Sequence, residues 1–255
     1  MNFINSLPMW MILVPILVMA LIASVAGYRY GRRHIEAGTH SNISGLRAST
    51  IGIVALLLAF SFSMTSSRFG DRSRTVLEEA NSIGTCYLRA GLLDNPARDR
   101  IRNALRTYTD SRLENYQKGV DSKEYLRTTL AMHAALDELW SGVEQAVHQD
   151  QERARVSVIV PAANDVIDLS GKHSWSDHNQ MPAPVVFLLA ATIIIASVLI
   201  GQSLAESGQR HIGLWLALNI LLVLVIFVIL DFDRPLRGLI RMNQAPLVDV
   251  RESMQ

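Results

Sequence analysis

Between Ala48 and Ser67 the chain reads ASTIGIVALLLAFSFSMTSS, and the seven residues that follow, Arg68 to Arg74, read RFGDRSR. The first stretch holds no charged side chain and the second holds four. A helix of that uncharged length rises about 30 Å, the thickness of a bilayer's hydrocarbon core. The pattern is that of a helix that crosses a membrane and then meets water abruptly. Leu7 to Tyr28, Met181 to Ala205 and Ile212 to Leu230 are likewise free of charge. A buried helix of a soluble protein seldom runs so far without one, so the sequence predicts four transmembrane helices.

The composition agrees: 49% of the residues are apolar and 18% are charged. The first uncharged run is too long for a signal peptide, lacks a basic segment before it, and lacks a small-x-small cleavage site after it. It is expected to stay in the membrane. The layout is a first transmembrane hairpin at 1–67 (spans 7–28 and 48–67) and a soluble segment at 68–180. A second hairpin with a short C-terminal tail follows at 181–255 (spans 181–205 and 212–230).

The soluble segment carries 15 Lys and Arg against 17 Asp and Glu, a mixed balance that suits a solvated domain. Its apolar spacing is helical. Val76, Ala80, Ile83 and Tyr87 mark a helix continuing from the second span. Asn95-Pro96 reads as the start of another, with Ile101, Leu105, Tyr108, Arg112, Leu113 and Tyr116 on its inner stripe. A third is expected from Asp121-Ser122, with Leu126, Leu130, His133, Leu136, Trp140, Val143 and Val147 on one side. A fourth is expected from about Gln151 to Leu169, with Val156, Ile159, Val160, Ala163 and Ile167 inward and Gly171 stopping it. No strand alternation of useful length occurs, so the fold class is all-α.

Basic residues flank both membrane faces. Arg29, Arg32, Arg33, Arg47 and Arg210 fall on one side; Arg68, Arg72, Arg74, Lys172, Arg234, Arg237 and Arg241 fall on the other. The count places both termini and the middle domain in the cytoplasm, although the flanks of the first helix alone argue the opposite.

No phosphate-binding glycine loop, G-x-S-x-G elbow or H-E-x-x-H pair is present, so the chain reads as no enzyme, with no cofactor. The formal charge of +1 argues against a nucleic-acid partner. His173, Asp177 and His178 have metal-ligating chemistry, but the plainer reading is a polar membrane-proximal loop. Cys86, the only cysteine, reads as a buried, inert thiol.

On the second span, Gly52, Ala55, Ala59, Ser63 and Ser66 form a line of small residues of the kind that lets helix backbones approach closely. Beside it Leu56, Phe60 and Met64 follow one another at intervals of four. Such a row reads either as ordinary lipid or neighbour contact, or as a hydrophobic constriction repeated around a pore. Arg74 and Glu78 are spaced to pair on an exposed helix. Asn219, within the fourth span, requires a partner and should face another helix. Asp231 and Asp233 lie close enough to the membrane to attract a cation, the commoner arrangement being a charge-paired cap. Asp233 and Arg237 would pair if the helix continued, but Pro235 is expected to bend the chain.

Two stretches together resemble a known family. The first is Leu58-Ala59-Phe60-Ser61-Phe62-Ser63 with Ser67-Arg68-Phe69 and Glu78-Glu79-Ala80-Asn81-Ser82-Ile83-Gly84-Thr85. The second is Asp231-x-Asp233-Arg234-Pro235-x-Arg237-Gly238-Leu239-Ile240-Arg241 with Gln244 and Pro246. From about Leu46 onward the chain resembles the bacterial bestrophin-like domain family, which is distantly similar to the bestrophin channels. Bestrophins are pentameric ion channels with four membrane helices per subunit and a helical cytosolic domain between the second and third. The resemblance implies a hydrophobic neck at positions like Leu56 and Phe60, ahead of the pair Arg68-Phe69. It also departs from bestrophins: Gly52 stands where they carry a bulky residue, and Gly70 replaces the second aromatic. Only Asp231 and Asp233 stand where animal bestrophins have a long acidic calcium clasp.

The resulting expectation is a multi-pass cell-membrane protein, a homo-oligomer (a pentamer by resemblance) that conducts small inorganic ions, anions by default. The alternatives are a membrane receptor with a four-helix sensor domain, or a scaffold with a sealed centre.

Overall fold

The computed structural model describes residues 8–34, 40–118, 123–149, 152–178, 181–206, 212–234 and 238–254. Among them are eight helices: α1 Met9–His34, α2 His40–Ala90, α3 Ala97–Lys118, α4 Lys123–His148, α5 Arg153–His178, α6 Ala183–Glu206, α7 Ile212–Phe232 and α8 Ala245–Ser253. The described residues contain no strand. Four of the helices, α1, α2, α6 and α7, are long and apolar enough to cross a membrane. The chain divides into a membrane unit, residues 1–68 with 180–234, and a second unit, residues 69–179 with 235–255. The boundary falls inside α2, where the uncharged run gives way to charge.

The membrane unit is built on a close crossing of α1 and α6. A β-carbon on Gly201 would overlap the Ser24 carbonyl oxygen, and one on Gly27 would overlap the Val198 carbonyl oxygen. A β-carbon on Gly31 would lie 2.9 Å from that of Ala205. With no hydrophobic drive between helices in lipid, such backbone proximity lets dispersion contacts hold the pair. The close approach expected along Gly52 and its small neighbours on α2 therefore occurs elsewhere within this chain, and nothing lies within 4 Å of a β-carbon on Gly52. Asn219 is fully buried as expected, but its amide nitrogen donates to the Trp215 carbonyl one turn back on its own helix, at 2.9 Å. Trp215 makes the interhelix link, donating from Nε1 to Ser24 Oγ at 2.5 Å.

In the second unit the core joins the 69–90 part of α2 to α3, α4, α5 and α8. Val76, Ala80, Ile83 and Tyr87 are buried, as are Ile101, Leu105, Tyr108 and Arg112, as the spacing predicts. Helix α4 keeps only part of its expected face: Val143 is buried and Leu136 packs against the core. Leu126, Leu130 and Val147 are exposed, while Thr128, Ala135, Leu139, Gly142, Val143 and Ala146 are buried. The cause is proximity: a β-carbon on Gly142 would sit 2.7 Å from Ile101 Cγ1. α3 and α4 thus meet closely at Gly142, with Leu139 and Val143 buried beside it, while Leu126, Leu130 and Val147 turn outward.

Helix α5 runs through Gly171 to His178. A glycine inside a helix costs only about 1 kcal/mol relative to alanine, so it need not end one. His173 therefore belongs to a helix, not to a polar loop, and among the described residues no group of His, Cys, Asp and Glu is placed to hold a metal. The side chains of Asp177 and His178 lie outside the described residues, as do Asp121, Ser122, Pro235 and Arg237.

The tail also departs from expectation. After Gly238 it joins the second unit, where Met242, Leu247 and Met254 are buried in the core. Tyr116 Oη donates to the Met242 carbonyl at 2.8 Å, and Tyr87 Oη and Arg106 Nε donate to the Met254 carbonyl at 3.0 and 2.8 Å. Arg251 grips Asp110 through two parallel bonds of 2.6 and 2.9 Å.

Candidate functional site

The membrane part of α2 is held by a narrow stripe. Val54, Leu58 and Thr65 are buried, and the Thr65 hydroxyl donates back to the Ser61 carbonyl at 2.9 Å. Most of the remaining circumference is open. Leu56 is 55% exposed, Phe60 64% and Met64 42%; Gly52, Ala55, Ala59, Ser63 and Ser67 are exposed beside them. The open face of α7 is richer in large aliphatic residues: Leu214, Leu216, Leu218, Ile220, Leu221 and Leu224 are exposed, with Gly213 and Ala217 among them. A surface of leucine and isoleucine suits acyl chains. A face that mixes a phenylalanine with glycine, alanine and serine suits protein or water on at least part of its width.

The two motif stretches meet at the end of the membrane unit. Asp233 is buried and accepts a 2.6 Å hydrogen bond from the Met181 N–H. Arg68 Nη1 lies 3.8 Å from its other carboxylate oxygen. This is the charge-paired cap expected of the aspartates. Asp231 and Arg234 are buried next to it.

The remaining motif positions lie in the second unit. Phe69 packs against its core, Gly238 is buried and Asn81 is exposed. Glu78 pairs with Lys172 of α5 at 2.9 Å, in place of the expected Arg74. Glu79 has no exposed surface and gathers three side chains around it. Tyr108 Oη donates to Glu79 Oε1 at 2.5 Å. Arg112 Nε lies 3.5 Å from the same oxygen, and His173 Nδ1 lies 3.6 Å from Oε2. Arg112 also hydrogen-bonds His173 Nε2 directly. Burial pushes the Tyr108 hydroxyl well above the ordinary tyrosine range, and the Glu79 charge reinforces this. Tyr108 is therefore a permanent donor at any physiological pH.

The sequence places Glu79 in a motif and Arg112 on an inward stripe, and nothing in their spacing joins them. An arginine on an apolar stripe was the available signal, since a buried guanidinium demands a buried counter-charge.

Cys86, on the soluble part of α2, is fully buried, and burial pushes its thiol up to about 12. We expect it to resist iodoacetamide at pH 8 in the folded protein and to react fully in denaturant; mass spectrometry of both samples checks this. Rapid labelling of the native chain would contradict the buried assignment.

A bestrophin-like domain matches residues 13–247 of the chain. The protein belongs to the bestrophin-like domain family. The match begins well before Leu46 and so takes in the first membrane helix. Among solved structures, one variant of a bacterial bestrophin homologue from Klebsiella pneumoniae is similar to this chain with a TM-score of 0.70 at 11% identity, covering 95% of this chain and 96% of that one. A second variant of that homologue gives 0.70 at 12% over 96% and 97%. A structure described as a membrane protein gives 0.71 at 12% over 95% of each chain. At such identities the likeness establishes a shared fold. No curated protein sequence matches.

Proposed function

We propose that this bestrophin-like chain is one subunit of a pentameric channel that passes small inorganic ions, anions by default, across the cell membrane. The soluble unit and both termini face the cytoplasm. The observation that carries this reading is the open face of α2, where Leu56, Phe60 and Met64 stand exposed beside glycine, alanine and serine. Five copies of that face around an axis would form successive apolar rings with small residues between them. Conduction is passive. Ions cross where the rings of Leu56 and Phe60 narrow the path, and widening or wetting those rings opens it. No covalent step is involved.

The test is to determine the oligomeric mass in detergent and then measure ion flux in liposomes, with Phe60→Ala beside the parent chain. The expected mass is that of five subunits, with flux above empty liposomes. Truncating the ring should raise flux about tenfold, equivalent to lowering a barrier by about 1.4 kcal/mol. A monomer or dimer without flux under any gradient would refute the channel and favour a receptor or scaffold. Flux unchanged by the substitution would keep the channel and move the constriction elsewhere.

A further inference from the structure

The second unit contains a cavity of about 550 Å³ between α3, α4 and α5. Arg112 and His173, both more than nine-tenths buried, line it together with Tyr125 and Trp175. His133 stands on its α4 side and Gly171 on its α5 side. The volume falls within the range of small-molecule sites, roughly 300–1,000 Å³, and the combination of apolar walls with a few convergent polar groups is typical of them.

We propose that this cavity binds a small organic anion with an aromatic or similarly flat apolar body, its carboxylate directed toward Arg112. Three observations carry the assignment. First, none of the described residues lining the cavity is acidic, whereas Arg112, His133 and His173 all line it. Glu79, which balances Arg112, is not part of the lining. The positive end of that pair faces the cavity and the negative end lies behind it. Second, Glu79 engages Arg112 at Nε and His173 engages it at Nη2, which fixes the guanidinium in the cavity wall. Third, Trp175 is 68% exposed at the cavity's edge. A large aromatic surface open to water at a cavity's edge gains by stacking on a flat ligand.

Gly171 supplies a clean test. Gly171 lines the cavity and a β-carbon there has nothing within 4 Å, so the position accepts a side chain. Calorimetric titration of the full-length protein in detergent uses 3-phenylpropionate as probe, with 3-phenylpropanamide and propionate as controls for charge and ring. We expect saturable binding of the acid, with both controls much weaker. Gly171→Ala should retain binding and Gly171→Phe should abolish it, while both keep the parent's oligomeric mass and helical signal. His133→Glu should weaken binding several-fold by placing a negative charge at the wall. Saturable binding that survives Gly171→Phe, or no saturable binding to the parent, would overturn the site. An amide that binds as tightly as the acid would overturn its preference for anions.

Discussion

Arg112→Leu lowers the stability of the soluble unit by about 3–5 kcal/mol, the usual consequence of removing one partner from a buried ion pair. The loss comes less from the attraction removed than from what is left behind. Glu79 has no exposed surface, and one of its oxygens already lacks a hydrogen bond of ordinary geometry. Without the guanidinium, the carboxylate keeps Tyr108 as a donor and His173 at ion-pair distance. That is too little to offset the desolvation of a full charge. Helical signal followed through denaturant titration of the detergent-solubilised protein measures the effect. The double variant Arg112→Leu with Glu79→Gln should recover much of the loss, because the stranded charge goes with its partner. Equal losses in single and double variants would mean that packing, not charge, holds this cluster. The exposed pair Arg100–Glu138, bridged at 2.5 Å, serves as control: breaking it should produce no measurable change.

Gly201→Leu should leave little folded protein. The Ser24 carbonyl occupies the space of the first added carbon, so α1 and α6 must move apart before a side chain can enter. Separation forfeits the close backbone contact along Gly27 and Gly31 and pulls Ser24 away from Trp215. Overpacking of this kind costs about 3 kcal/mol or more, and lipid offers no hydrophobic compensation between helices. Size-exclusion chromatography of a fluorescent fusion should show the monodisperse peak replaced by aggregate. Gly52→Leu should keep the peak if only the single chain matters, since its surroundings are open. Under the pentamer reading it narrows the axis, so its flux should fall while its mass stays unchanged. A normal peak for Gly201→Leu would show that the α1–α6 crossing is looser than described.

Much of this architecture was legible in the residues alone because a bilayer imposes strict demands. Crossing it requires about twenty uncharged residues in a helix, which leaves no ambiguity at Ile212 to Leu230 or at Ala48 to Ser67. The stripe from Ile101 to Arg112 was readable for a related reason: its large side chains repeat at helical spacing and do face the core. The same rule misled on α4. There Leu126 and Leu130 are as apolar as the buried Leu139 yet are exposed, and the face that α3 approaches most closely carries Gly142. Hydrophobicity identifies what can be buried, whereas steric fit selects which face is.

The membrane spans, the all-helical class and the continuation of α2 past the membrane followed from the chain's own composition and spacing. Each is a local property, set by charge and periodicity over a few turns. Four features depended on the tertiary structure: the Glu79–Tyr108–Arg112–His173 cluster, the Arg68–Asp233 cap, the glycine crossing of α1 with α6, and the return of Met242 to Met254 into the second unit's core. All four join residues far apart in the chain. Pairings at such separations are decided by which backbones come close enough to touch, and spacing along the sequence does not record that.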